Sequence, residues 1–99
     1  MKIKCLYRRN LKLSDQKLAA QVGHVVGNLV QITEDQGINR DSVIIVLKAS
    51  DKKFAEKHEE LLDSKDVKWY IQIDRGITEI LEGTETVIGW IEPKEVENE

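Results

Sequence analysis

An α/β fold follows from three observations on the chain. Apolar residues alternate with lysines over residues 2–7, recur at helical spacing from Leu18 to Val30, and run unbroken from Val43 to Leu47. Strand, helix and strand periodicities in that order describe a unit whose crossover lays a helix on a sheet. A second helical pattern and two further β-rich runs complete the chain. The predicted fold is a single three-layer α/β/α domain with a mixed, mostly parallel four-stranded sheet.

Each element has a local reason. Ile3, Cys5 and Tyr7 alternate with Lys2 and Lys4, as in a strand with one face better covered than the other. Ser14 is placed to cap the first helix and Asp15 suits its positive end, after which Leu18, Val22, Val25, Val26, Leu29 and Val30 form the apolar face. Gly37 offers a stop, and Gly23 with Gly27 offers a small surface for packing on the sheet. Val43 to Leu47 is apolar on both faces, which predicts a central strand covered by helices. Ser50 or Asp51 caps a second helix with a buried face of Phe54, Ala55, His58, Leu61 and Leu62. Residues 67–73 and 86–91 supply the last two strands, joined by a loop from Asp74 to Glu85.

Composition bounds the class of protein. The chain has 99 residues, 40% of them hydrophobic and 33% charged, which fits one domain over residues 1–93 followed by an acidic, frayed tail at 94–99. Cys5 is alone, so the chain forms no internal disulfide and no cysteine-based zinc site, and a reducing cytoplasmic setting is expected. No apolar run reaches about 18 residues, so no membrane partner is expected. The net charge of −3 argues mildly against a polyanion. Its distribution argues the other way: residues 1–17 hold six basic groups against Asp15 alone, while residues 82–99 hold six glutamates against Lys94. A basic patch at one end can still hold a nucleic acid.

The chemistry-bearing residues form a stripe and a loop. At about 100° per residue, Lys17, Gln21, His24 and Asn28 fall within a narrow sector of the first helix, a mixed polar line beside small residues that reads as a site wall. Lys17 opposes the helix dipole in the first turn, and a cation placed there calls for a nearby anion. Asp74 closes a strand and precedes Gly76; it is either a turn former or a site carboxylate. In a strand-helix-strand sheet both positions lie at the carboxyl end, where they can converge. His58, on an apolar face, reads as a partnered histidine at the core edge. Phosphate-loop, zinc-protease and nucleophile-elbow motifs are absent from the sequence.

Three blocks together carry a resemblance. Arg8, Leu11 and Lys12 are followed by Lys17, Ala19, Ala20, Gln21 and His24; later come Asp74, Gly76 and Thr78, then Gly83, Thr86, Val87 and Gly89. This order resembles the archaeal and eukaryotic (type 2) peptidyl-tRNA hydrolases. The resemblance implies hydrolysis of the ester between a peptidyl group and tRNA, without metal or other cofactor. It implies Lys17, His24, Asp74 and Thr78 as catalytic residues and Arg8, Arg9, Lys12, Gln21, Thr84 and Thr86 as substrate-binding residues. The partner implied is peptidyl-tRNA, and a homodimer is admitted. Asn10 and Glu79 stand where the family has Asp and Gln, and Ser14-Asp15-Gln16 replaces a basic glycine loop. The negative charge added by Asp15 and Glu79 would suit an alternative, an inactive paralogue serving as an RNA- or protein-binding module.

Overall fold

Strand β1 (Lys2–Arg8) leads into helix α1 (Asp15–Thr33), strand β2 (Val43–Ala49), helix α2 (Asp51–Asp63) and strands β3 (Trp69–Ile73) and β4 (Glu85–Ile91). These are seen in a computed structural model that describes residues 2–33, 42–74 and 83–93. Both helices begin as their sequences require. The Ser14 hydroxyl accepts the Lys17 N–H at 3.2 Å, and the Ser50 hydroxyl accepts the Lys53 N–H at 3.2 Å, so Ser50 and not Asp51 caps α2. The Gly37 stop and the acidic tail at 94–99 lie outside the described residues.

The sheet runs β2-β1-β4-β3, and only the β1–β2 pair is parallel. The expectation of a mostly parallel sheet is therefore corrected. β4 enters between β1 and β3 and runs against both, and the connection from Asp74 to Thr84 is shorter than the ~12 or more residues that a parallel crossover needs. The same order overturns the central placement of residues 43–47: the central strands are β1 and β4, and β2 is an edge. Its apolar run does not lie between two covering layers.

The two helices cover opposite faces, giving the three layers. Val25 and Leu29 of α1 bury against Ile3, Cys5 and Val87, and Phe54 and Leu61 of α2 bury against Ala49, Ile88 and Trp90. Alternation along β1 and β4 divides the strand residues between the two cores. Ala55 and Leu62, expected inside, are exposed; the inward stripe of α2 follows Phe54, His58 and Leu61 instead, and one step around the helix reaches solvent. Gly23 and Gly27 are also exposed and meet no atom that an added Cβ would touch, so they do not pack on the sheet. The close approach of helix to sheet occurs at Gly89, where a Cβ would overlap the Val25 side chain and stand 3.2 Å from Cys5 Sγ.

Candidate active site

Lys17 projects from the first turn of α1 and Asp74 ends β3, and the fold joins them: Lys17 Nζ lies 2.8 Å from Asp74 Oδ2. The anion called for by a lysine at a helix N-terminus is this carboxylate. The pair is withdrawn from solvent, with side-chain exposures of 16% and 3%. Charges so placed are held by each other, since removing one partner leaves the other buried and unpaired.

Asp74 is fixed by its backbone as well. Its N–H donates to the Thr84 carbonyl at 2.8 Å, and its own carbonyl accepts the Gly83 N–H at 2.8 Å. Gly83 has φ of 87°, a left-handed conformation that a residue lacking Cβ adopts freely. These bonds close both ends of the 75–82 segment, which includes Thr78 and lies outside the described residues.

Behind the ion pair is a second buried contact. Thr86 Oγ1 donates to Gln21 Oε1 and also stands 3.3 Å from the Gln72 carbonyl. Gln21 is one turn beyond Lys17, and Gln72 is two residues before Asp74. The contact therefore pins α1, β3 and β4 together where the ion pair forms. Gln21 and Thr86 are buried, so they face each other and not an open surface. His24, farther along the same side of α1, is exposed; its backbone carbonyl accepts the Asn28 side chain at 2.7 Å.

The basic residues divide by partner. Arg8 Nε meets Asp51 Oδ1 at 3.0 Å and a second Arg8 nitrogen donates to the Glu85 carbonyl at 3.1 Å, while Asn10 donates to the other Asp51 oxygen at 3.1 Å. Hydrogen bonds from Arg8 and Asn10 hold the Asp51 carboxyl below its ordinary value of 3.8. Arg9 and Lys12 are exposed. The sequence reading gave Asp51 only a capping role. Asn10 was the available signal, because an amide at that position can share a carboxylate that an acid could not. His58 has the partners expected of a core-edge histidine: Glu85 Oε2 lies 3.6 Å from Nδ1, and Trp69 packs edge-on at 5.4 Å.

Two concavities lie away from the ion pair. One runs between α1 and β2 and is lined by Leu18, Val22, Val26, Ile44 and Val46; the other lies between α2 and the Arg8 and Glu85 side chains. Among the described residues the Lys17–Asp74 ion pair combines paired charge with low exposure.

The family model described as "Peptidyl-tRNA hydrolase PTH2" matches residues 1–98. A peptidyl-tRNA hydrolase of Methanopyrus kandleri is 33% identical over 88 residues, spanning 83% of this chain and 76% of that protein. A match over almost every residue, with the lysine and aspartate of the family motif joined in one buried pair, leaves one assignment: the chain belongs to the peptidyl-tRNA hydrolase PTH2 family.

Proposed function

We propose that the chain hydrolyses the ester linking a peptidyl group to the terminal ribose of tRNA, with Lys17 and Asp74 as its reactive pair. Family membership supports the reaction, and the 2.8 Å ion pair between two motif residues carries the assignment of roles. Ester hydrolysis needs a directed water, a counter-charge for the tetrahedral oxyanion and a hold on the leaving nucleotide. Asp74 orients or deprotonates the water. Lys17 faces the oxyanion or a nearby phosphate, and substrate binding must then loosen its present contact with Asp74.

The remaining residues serve this pair. Gln21 and Thr86 act as positioning residues through their buried contact, and Thr84 holds Asp74 by its carbonyl. His24 and Thr78 contact the substrate or orient the attacking water. Arg9 and Lys12, with Arg8 beside them, attract the acceptor stem. The reading places the enzyme in the cytoplasm with peptidyl-tRNA as its partner, as a homodimer, with residues 1–93 as the working domain. Among the described residues no helix is long and apolar enough to cross a membrane.

The decisive experiment is release of the blocked amino acid from an N-blocked aminoacyl-tRNA by the purified chain, with free aminoacyl-tRNA as control. Release from the blocked substrate alone is expected. No release at high enzyme concentration would end the reading.

A further inference from the structure

β4 does not pair evenly with β3. Gln72 stands opposite Val87 and Ile73 opposite Glu85, so Thr86 is the extra residue of a β-bulge. Regular alternation from Val87, which packs beneath α1, would turn Thr86 to the α2 side with Ile88. Thr86 instead shares the α1 side with Val87, where its hydroxyl meets Gln21. The bulge re-aims this side chain toward the helix that carries Lys17. On the other side of Glu85, the Thr84 carbonyl accepts the Asp74 N–H at 2.8 Å. Both neighbours of Glu85 therefore hold the ion pair's surroundings.

A bulge interrupts the ladder, so the strand needs another hold at that point. The β1–β4 pairing ends with Tyr7 opposite Val87, and the next residue of β1 supplies the hold from its side chain. Arg8 donates from Nη1 to the Glu85 carbonyl at 3.1 Å while its Nε meets Asp51 Oδ1 at 3.0 Å, and its guanidinium lies 6.0 Å from the Phe54 ring centre. The Glu85 carboxylate lies on the α2 face too, 3.6 Å from His58 Nδ1. A planar fork can direct one N–H to a carboxylate and another to a carbonyl at the same time. An ammonium on a flexible stem has no such fixed directions.

We propose that Arg8, besides the charge it adds to the basic end, is a positioning residue for the hydrolysis. It acts from the α2 face by clamping the Glu85 carbonyl, which sets the bulge that aims Thr86 at Gln21 and the strand end whose Thr84 carbonyl holds Asp74. Asp51 orients the clamp from the first turn of α2. The role in turnover rests on the hydrolase reading; the clamp itself is a property of the fold.

Arg8→Lys separates charge from geometry, since it keeps the cation and loses the fork. Single-turnover release at saturating enzyme should fall by about 10- to 100-fold, the scale of a misplaced reacting group, while tRNA affinity and its salt dependence stay as in the wild type. Amide hydrogen exchange at Asp74 should quicken by about tenfold, as for one lost hydrogen bond, with Val25 and Leu29 in the α1 core unchanged. In a Thr86→Val background, Arg8→Lys should cost little more, because both changes break one route. Asp51→Asn, at an exposed position, is the milder variant and should move the same amide in the same direction. Unchanged exchange at Asp74 in both variants would overturn the clamp whatever the activity does. A full saturated rate with weakened tRNA binding would place Arg8 on the substrate, and additive losses with Thr86→Val would overturn the route through the bulge. If the wild-type chain releases no peptide, the hydrolase reading fails and the exchange measurement decides the clamp alone.

Discussion

At the scale of single residues, the buried Lys17–Asp74 pair sets the sharpest expectation. Asp74→Asn keeps the shape and one acceptor oxygen but removes the negative charge. If the carboxylate activates water, single-turnover release should fall by about 100-fold or more. If Asp74 only forms a turn, asparagine replaces it well and activity survives. The pair's burial adds a cost in stability, because Lys17 loses its counter-charge. Urea melts should show a loss of about 2 kcal/mol for Asp74→Asn and more for Asp74→Ala, where no acceptor remains. An inactive but folded Asp74→Asn protein would place the residue in the chemistry.

At the scale of elements, helix and strand meet through one glycine and one carboxylate. Gly89→Ala should destabilise by about 1–3 kcal/mol, read from the urea midpoint, since the new methyl group enters space held by the β-branched Val25. Gly23→Ala is the control: it is exposed in a helix interior with no atom in its way, and it should stabilise by about 0.5–1 kcal/mol. The end of β1 is tied to the first turn of α2 through Asp51, whose carboxyl is held below 3.8 by Arg8 and Asn10. A depressed folded value means that this contribution is present above the unfolded carboxylate range and is lost as pH falls below it. The acid limb of a thermal-stability profile should therefore flatten in Arg8→Ala/Asn10→Ala, with the difference from wild type largest at neutral pH and vanishing toward strong acid.

Across the whole molecule, charge is segregated: the N-terminal 17 residues are basic and the last 18 acidic, so the net of −3 describes neither end. A tRNA bound at the basic end releases counterions, and its affinity should fall steeply with salt. Filter binding at several salt concentrations should show that slope reduced in Arg9→Ala/Lys12→Ala, with affinity lower for all tRNA sequences alike. Affinity independent of salt would remove the basic face from substrate recognition. Arg8 belongs to a different experiment, because its guanidinium already holds Asp51 and the Glu85 carbonyl.

The sequence by itself determined the local structure and the chemistry in play. Periodicity gave four strands and two helices in order, Ser14 and Ser50 marked the helix starts, and Lys17 in a first helical turn with Asp74 at a strand end pointed to two charges that meet. These follow from interactions over a few residues or from a motif read along the chain. Tertiary structure decided what those interactions cannot encode. The run from Val43 to Leu47 reads as covered on both faces, yet strand order depends on which distant strands pair, and β4 took the place beside β1. Gln21 and Thr86, legible only as polar motif residues, became a buried contact because 65 positions of chain bring them together. Gly23 and Gly27 looked like the packing glycines, but only the docking angle of α1 on β4 could select Gly89. Apolar spacing fixes which side of an element seeks burial; the neighbour that covers it is set by topology, and here β2 is left at the edge of the sheet with Val43, Ile44, Val46 and Leu47 exposed.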